Sequence, residues 1–223
     1  MKVAVSWSGG KDGCLACYRG LLAGLEVTHL LNFIVKDRPP FHGSPTLIKA
    51  QSTALGIPIL QREATWDTYA DSFKSEVARL KQAGVEGMIF GDIYLQEHRD
   101  WLEKLCGALG VKAHFPLWLE KPERILSSLI QQGFEAVVTC VNSNRLGREW
   151  LGRKIDKNFI EGLKRAKPTV DLCGEMGEYH TLVTDGPLFK ERIEIREREA
   201  IQQGDYWLLN ILKYETVTKH LTS

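Results

Sequence analysis

The feature that most constrains the fold is an alternation of strand-like and helix-like segments over the first 118 residues. Short apolar runs of strand-forming residues occupy residues 2–7, 28–35, 57–61, 85–90 and 111–115. Segments with the apolar spacing of helices lie between them, at residues 12–25, 46–55, 67–83 and 95–109, and Asp67 is the expected cap of the third. Strands joined through helices pair in parallel, so the pattern predicts an α/β fold with a five-stranded parallel sheet and helices on both faces.

The chain after residue 118 follows a different pattern. Helical spacing returns at residues 122–132 and 156–165, and strand-like runs lie at 134–141, 179–184, 188–196 and 206–214. The last two runs are joined by the turn Gln203-Gly204-Asp205 and are expected to form an antiparallel ribbon. We therefore predict two domains, residues 1–118 and a smaller α+β domain at residues 119–223.

Composition excludes several classes of protein. The 223 residues carry a net charge of +1 and are 43% hydrophobic. This near-neutral charge exerts no general attraction for DNA or anionic membrane. No apolar run approaches the ~20 residues needed to cross a bilayer, and the first residues enter a strand-like run directly. The expected protein is soluble and cytoplasmic, with no membrane and no DNA partner.

The five cysteines do not form a pattern typical of disulfides or a metal site. Cys14 and Cys17 make one C-x-x-C, which is compatible with a redox, sulfur-transfer or half-metal site. No second pair or neighbouring histidine completes a metal site. Two small apolar residues one turn apart on a helix that faces a sheet are the favoured interpretation.

The loop Ser8-Gly9-Gly10-Lys11-Asp12 joins the first strand to the first helix. Ligands of α/β sheets bind beyond the carboxyl ends of strands, and a helix N-terminus attracts phosphate oxygens. The two glycines allow close backbone approach, Ser8 adds a hydroxyl, and Lys11 adds a positive charge. Asp12 fits this picture if it caps the helix or holds Mg²⁺. The sequence predicts phosphate binding, and a simple glycine turn is the alternative.

A second motif, Asp171-Leu172-Cys173-Gly174-Glu175-Met176-Gly177-Glu178-Tyr179-His180-Thr181, combines paired carboxylates with glycines. Glu175 and Glu178 lie three residues apart in a turn that leads into a strand. Paired acids of this kind bind a cation, hold an amine or act as a base. A solvated acidic turn explains the pattern equally well from the residues alone.

The two motifs together resemble a known family. The first loop resembles the SGGxDS pyrophosphate loop of the N-type ATP pyrophosphatases, although Gly13 stands where those enzymes usually have serine. Nearly the whole chain resembles the diphthine–ammonia ligase family when further segments are considered with the second motif. These segments are Gly91-Asp92, Pro116-Leu117-Trp118, Trp150-Leu151-Gly152-Arg153 and Asp185-Gly186-Pro187-Leu188-Phe189. The resemblance implies a Rossmann-like, HUP-type nucleotide domain.

The resemblance also implies the chemistry. A substrate carboxylate would attack the α-phosphate of ATP, pyrophosphate would leave, and ammonia would displace AMP to give an amide. The implied cofactors are ATP and Mg²⁺. The implied partner is elongation factor 2 bearing diphthine, or another carboxylate acceptor if no such factor exists, and a homodimer is left open.

We assign candidate residues from these motifs and the resemblance. Expected nucleotide contacts are Ser6, Ser8, Gly9, Gly10, Lys11, Asp12, Phe33, Ile34, His42, Gly91 and Asp92. Expected contacts with the acceptor and ammonia are Arg99, Asn142, Gly174, Glu175, Gly177, Glu178 and Thr181. The expected catalytic residues are Lys11, Asp12, Glu175 and Glu178, with Asp12 as the metal ligand, aided by Asp92. For His42 and Arg99, an ordinary loop histidine and a surface arginine are about equally good interpretations.

Two other functions stay open at this point. A tRNA thiolase shares the phosphate loop, but it calls for a catalytic cysteine pair and a basic RNA-binding face. An ATP-binding sensor module shares the α/β fold, and it has no need of the acidic motif.

Overall fold

The computed structural model describes residues 1–167 and 169–219, and its first sheet is parallel throughout. The strands of this sheet are β1 (Lys2–Ser6), β2 (Glu26–Val35), β3 (Ile59–Ala64), β4 (Gly87–Ile89) and β5 (Lys112–His114). They lie in the order β3-β2-β1-β4-β5, and every neighbouring pair is parallel. The predicted five-stranded parallel sheet is confirmed.

Helices follow the strands, and two of them complete the core of this sheet. The helices of the chain are α1 (Lys11–Leu22), α2 (Pro45–Leu55), α3 (Tyr69–Gln82), α4 (Gln96–Ala108), α5 (Pro122–Gln131) and α6 (Lys157–Ala166). One face of α3 and one face of α4 pack with the sheet in a single apolar cluster. Its buried members are Ala4, Leu31, Phe73, Val77, Leu80, Val85, Met88, Phe90, Leu102, Leu105, Cys106 and Val111.

The cap of α3 is one residue later than predicted. Thr68, not Asp67, is the N-cap residue, and it makes no side-chain cap bond to the helix. The Thr68 hydroxyl instead accepts from the Thr65 backbone N–H at 3.0 Å. The turn before the helix therefore uses the capping hydroxyl, and Asp67 is left exposed.

Cys14 and Cys17 are buried free thiols on α1, as the packing interpretation expects. Burial raises the pKa of Cys17 to about 12 and that of Cys14 well above its ordinary value. Because the thiolate is the reactive form of cysteine, neither residue has the character of a redox nucleophile.

The second sheet is antiparallel and has four strands. They are β6 (Glu135–Asn142), β7 (Tyr179–Asp185), β8 (Glu191–Gln203) and β9 (Tyr206–Thr218), in the order β7-β6-β9-β8. The predicted ribbon is the hairpin β8–β9, whose pairing continues from Gln203↔Tyr206 to Glu191↔Thr218. Both strands are longer than the sequence pattern suggests because backbone pairing continues through polar and charged residues, to Gln203 in β8 and to Thr218 in β9.

Contacts divide the chain into two compact units that are not contiguous in sequence. The first comprises residues 1–8, 12–40 and 57–119, and the second residues 9–11, 41–56 and 120–223. By contacts, α2 belongs to the second unit and makes that unit the larger one. There, the Lys190 N–H donates to the Ala54 carbonyl at 2.7 Å. The contiguous division at residue 118 stays a prediction.

In residues 1–167 and 169–219, no helix combines the length and the apolar character that a bilayer span requires.

The strand order of the parallel sheet reverses between β1 and β4, where α/β proteins place their ligands. Gly91 follows β4 at this point and packs on the first turn of α1. A Cβ at Gly91 would lie 2.6 Å from the Gly13 nitrogen and 2.8 Å from the Asp12 carbonyl carbon. Glycine is therefore required at 91 for the loop to approach the helix.

We expect Gly91→Ala to lower the free energy of unfolding by about 1–3 kcal/mol, because backbone atoms must move to admit the methyl group. The matched control is Gly107→Ala on α4, where an added Cβ meets nothing within 4 Å. Alanine there should raise stability by about 0.5 kcal/mol, since it favours the helix. Urea unfolding followed by circular dichroism measures both, and equal effects would contradict the packing described.

Candidate active site

Predicted nucleotide-contacting residues of the first unit lie at the carboxyl ends of its strands. Ser6 is the last residue of β1. Phe33 and Ile34 lie near the carboxyl end of β2, where they pair with Arg62 and Glu63 of β3. Ser8 and Asp12 are half-buried. The Asn32 side chain is buried and donates to the Trp7 carbonyl at 2.8 Å, so it extends the contact between β1 and β2.

Asp92, the second predicted magnesium ligand, contacts a histidine. Its carboxylate Oδ1 lies in close contact with Nδ1 of His98, whose ring stacks on Trp101 at 5.7 Å. Burial, with the Asp92 charge as a smaller cause, raises the pKa of Tyr69 to about 12. The neighbourhood of Asp92 is therefore aromatic and half-buried.

Arg99 is held by its own unit. Its Nε donates to Glu103 at 2.7 Å, and its guanidinium lies over the rings of Phe115 at 5.0 Å and Trp118 at 4.6 Å. Such stacking fixes a guanidinium plane. Arg99 is therefore a partly buried arginine with fixed partners rather than a freely solvated one.

In the second unit, residues 9–11 lie along strand β7. The Val183 N–H donates to the Gly9 carbonyl at 2.9 Å, and the Lys11 N–H donates to Oγ1 of Thr181 at 3.1 Å. The buried Gln51 of α2 adds two bonds from its amide nitrogen, to the Gly9 carbonyl at 3.0 Å and to the Val183 carbonyl at 2.7 Å. The two sequence motifs therefore meet directly within this unit.

The glycines of the loop are required by neighbouring side chains. Gly9 has a φ of +89°, and a Cβ there would lie 2.4 Å from Cδ1 of Ile48 and 2.6 Å from Oε1 of Gln51. A Cβ at Gly10 would lie 2.8 Å from Cε1 of His42. The sequence pattern suggested that these glycines allow phosphate to approach the backbone. In the structure, side chains of α2 and the His42 ring already lie that close to the backbone.

Lys11 is 3% exposed and extends toward the acidic motif. Its Nζ donates to the Cys173 carbonyl and lies 5.0 Å from the centre of the Tyr179 ring. A carbonyl oxygen and an aromatic face both stabilise a buried ammonium. The positive charge of the loop is therefore held in place by the segment that carries the paired glutamates.

Two carboxylates shape the turn at residues 171–178. Glu178 is 1% exposed, and its oxygens accept the N–H of Asp171 at 3.2 Å and of Met176 at 3.0 Å. Asp171 Oδ1 accepts the N–H of Cys173 at 2.9 Å and of Glu175 at 3.1 Å. Backbone N–H groups stabilise ionised carboxylates, so Asp171 and Glu178 form an internal frame for the turn.

The remaining predicted residues of this motif differ in their surroundings. Gly174 has a φ of +70°, and a Cβ there would lie 2.8 Å from the Tyr179 carbonyl, whereas Gly177 at φ +77° has open space around it. Glu175 is half-buried, in contrast to Glu178. Asn142, at the end of β6, donates its N–H to the Glu178 carbonyl at 2.9 Å.

Two imidazoles lie beside the loop and β7. His42 Nδ1 is 2.7 Å from the Thr181 carbonyl. The His180 ring stacks on Phe41 at 4.6 Å and meets His42 edge-on at 5.0 Å. Burial first, and the Lys11 charge in addition, lower the pKa of His42 to about 4 despite the bond to Thr181. Burial, His42 and Lys11 lower the pKa of His180 well below its usual value.

Sequence reasoning did not assign two residues that shape the site, Gln51 and Asp171. Gln51 stands on the apolar stripe of α2 with Leu47, Ile48 and Leu55, and a polar residue at a core position was the available signal. Asp171 opens its motif but is absent from the assigned residues, although aspartate at the start of a turn commonly accepts nearby backbone N–H groups.

Comparisons with known proteins agree along the chain. Residues 1–113 match the family model described as the diphthamide synthase N-terminal domain, and residues 121–217 match that of the C-terminal domain. Proteins named diphthine–ammonia ligase are 27% identical over 227 residues in Schizosaccharomyces pombe and in Bos taurus, and over 228 in Homo sapiens. The matches cover 92%, 90% and 90% of this chain, but 38% of the yeast protein and 85% of each mammalian one.

A solved structure gives a weaker likeness. The predicted subunit of a tRNA methyltransferase from Methanocaldococcus jannaschii has a TM-score of 0.43 and 16% identity, over 61% of this chain and 77% of that one. A likeness at this level supports no conclusion on function.

We expect Glu178→Gln to destabilise the protein by about 1–3 kcal/mol, because the amide turns a donor toward a backbone N–H that loses its acceptor. Glu161→Gln on the exposed face of α6 is the control and should change stability by less than about 0.5 kcal/mol. Thermal unfolding compares the two variants, and an unchanged midpoint for Glu178→Gln would contradict the frame described for the turn.

Stability should fall as the pH drops from about 6.5 to about 4. In that window an unfolded chain protonates His42, whereas the folded protein, with a lowered pKa of about 4, does not. Linkage gives about 1.4 kcal/mol for each unit of difference, so His42 alone contributes about 3–4 kcal/mol, and His180 acts in the same direction. Urea unfolding of wild type and His42→Asn at a series of pH values measures this, and parallel pH curves would contradict it.

Proposed function

The chain belongs to the diphthamide synthase family, and from this membership we propose that it is an ATP-dependent ligase that joins ammonia to a substrate carboxylate. The substrate carboxylate oxygen attacks the α-phosphorus of ATP, and the bond to the β-phosphate oxygen breaks to release pyrophosphate. The ammonia nitrogen then attacks the carbonyl carbon of the acyl adenylate. AMP leaves with the electrons of the C–O bond, the nitrogen loses a proton, and an amide is the product.

One observation carries this proposal: the bonding of residues 9–11 to β7. Hydrogen bonds from Val183 to Gly9 and from Lys11 to Thr181 place the loop proposed for phosphates against the strand that follows the paired glutamates. An adenylating ligase needs its phosphate-binding group and its acceptor-binding group close together, because one reaction joins their ligands. A nucleotide sensor has no such need.

Lys11 supplies the positive charge in this scheme. Its ammonium is already positioned by the Cys173 carbonyl and the Tyr179 ring. Charge that is fixed before the substrate arrives costs no reorganisation when negative charge develops on the leaving pyrophosphate. We assign Ser8, Gly9 and Gly10 to the same phosphates.

Asp12 is the residue assigned to Mg²⁺. The described residues contain no group of three or more metal-binding side chains, and a nucleotide-bound Mg²⁺ commonly takes only one or two carboxylates besides phosphate oxygens. Half-buried Asp12, at the start of α1, fits that requirement. Asp92 is the weaker ligand because His98 contacts its carboxylate. When bound, the ion neutralises phosphate charge.

The two glutamates take different roles in the proposal. Glu178 is a positioning residue because both of its oxygens accept backbone N–H groups. Glu175 is the carboxylate assigned to the acceptor or to the amine nucleophile, since it is the more exposed of the pair. The acceptor itself is diphthine on elongation factor 2. Cytoplasmic location stays a prediction, and homodimer formation stays open.

The test combines the purified protein with ATP, Mg²⁺, ammonium chloride and elongation factor 2 bearing diphthine. We expect AMP and pyrophosphate in equal amounts, and amidation of the modified histidine by mass spectrometry, only when both acceptor and ammonium are present. ADP and phosphate as products would contradict cleavage between the α- and β-phosphates. ATP binding without any product would establish the sensor, and sulfur incorporation into tRNA would establish the thiolase.

Variants test the division of roles. Lys11→Ala should lower kcat/KM for ATP by tenfold or more, corresponding to about 1.4 kcal/mol or more of transition-state stabilisation. Lys164→Ala on α6 is the control and should behave as wild type. Glu175→Gln should retain ATP binding, measured by calorimetry, and lose product formation. Equal loss of ATP binding in Lys11→Ala and Glu175→Gln would contradict the assignment.

A further inference from the structure

The two histidines beside β7 are not used by the steps described above, and the nucleotide contact expected for His42 from the sequence is replaced below by a different role. His42 is half-buried, and its ring lies so close to Gly10 that a Cβ there would be 2.8 Å from Cε1. His180 presents its ring edge-on to His42 at 5.0 Å, and Phe41 covers the face of His180. Tyr206 packs on Phe41 at 4.8 Å. The pair of imidazoles is therefore walled by aromatic rings at the proposed phosphate loop.

The hydrogen bond of His42 determines which nitrogen carries its proton. A backbone carbonyl has lone pairs and no proton, so it only accepts. The 2.7 Å contact with the Thr181 carbonyl therefore places the proton of neutral His42 on Nδ1. Nε2 is then an unprotonated acceptor, and among residues 1–167 and 169–219 no hydrogen bond to it is described.

This tautomer selects the kind of ligand. Phosphate oxygens are acceptors at neutral pH, and an acceptor nitrogen gives them no hydrogen bond. A ligand at Nε2 must present an N–H or O–H group. Because the ring contacts Gly10, this donor lies at the phosphate end of the proposed nucleotide site. Of the substrates in the proposed reaction, ammonia is the small N–H donor that must reach the carbonyl attached to the α-phosphate.

We propose that Nε2 of His42 accepts a hydrogen bond from the ammonia molecule and positions its lone pair for attack on the acyl adenylate. This inference rests on the proposed ligase function. In the step, the nitrogen–carbon bond forms and the carbon–oxygen bond to AMP breaks. His42 orients the ammonia molecule through the hydrogen bond that Nε2 accepts from one ammonia N–H. The proton that the nitrogen loses after attack leaves with AMP or water.

Charge at the site favours neutral ammonia over ammonium. Burial is the first cause of the lowered pKa of both imidazoles, and the Lys11 ammonium adds to it in each. The charge of Lys11 also repels any other cation placed beside the rings. A His42 pKa of about 4 keeps the ring neutral at pH 7. That value also makes the ring a poor proton acceptor at pH 7, because its protonated form gives up the proton far below that pH. A hydrogen-bond acceptor role follows from these values, rather than that of a general base.

The test separates adenylation from amidation in His42→Asn. The asparagine amide keeps a donor for the Thr181 carbonyl but has no atom at the position of Nε2. Pyrophosphate exchange into ATP, with elongation factor 2 bearing diphthine and without ammonium, should stay within about twofold of wild type. The KM for ammonium should rise by about three- to tenfold, as expected for loss of one neutral hydrogen bond. His29→Asn on β2, far along that strand from its carboxyl end, is the matched control.

His42→Gln provides a second variant, because its amide oxygen reaches toward Nε2 and should partly restore the KM for ammonium. An unchanged KM for ammonium in His42→Asn would overturn the inference. An equal rise in the KM for ATP would overturn it too, and would return His42 to the nucleotide. Absence of exchange in wild type would overturn the ligase function and this inference together, whereas normal exchange with normal ammonium dependence in His42→Asn would overturn the inference alone.

Discussion

The hydrogen bonds that hold residues 9–11 along β7 are the constraint on which the rest of the second unit depends. They bring Lys11 within reach of the Cys173 carbonyl, and they bring Gly10 against His42. Gln51 secures the same two segments by bonding to both Gly9 and Val183. Backbone bonds of this kind leave little freedom in side-chain positions. The loop and the acidic motif are therefore one structural element built from distant parts of the chain.

Several polar side chains in each unit are bonded by the protein itself. Glu178 and Asp171 hold the turn, Thr181 holds the loop, and Arg99 in the first unit is held by Glu103 and two rings. A sequence shows which residue types are available, but the direction of each side chain depends on its tertiary neighbours. Glu175 and Glu178 look equivalent in the motif, and burial distinguishes them in the fold.

The parallel sheet could be predicted because alternating strand and helix signals are local and were repeated five times. The two motifs could be located because glycine, lysine and acidic residues have strong positional meaning. The grouping of α2 with the second sheet could not be predicted, since it depends on contacts such as that from Lys190 to Ala54. The reason for Gly9 and Gly10 was also beyond the sequence, because Ile48, Gln51 and His42 reach them only in the folded chain.

The discontinuous second unit has a consequence for how the chain folds during synthesis. Lys11 and Thr181 are 170 residues apart in sequence, so the bond between them forms only after most of the chain has left the ribosome. Closing so long a loop is slow and is paid for in chain entropy. Residues 9–11 and 41–56 therefore lack their β7 partners during the period in which the parallel sheet forms. Chains shortened before β7 would leave the apolar face of α2 uncovered, and such faces promote aggregation.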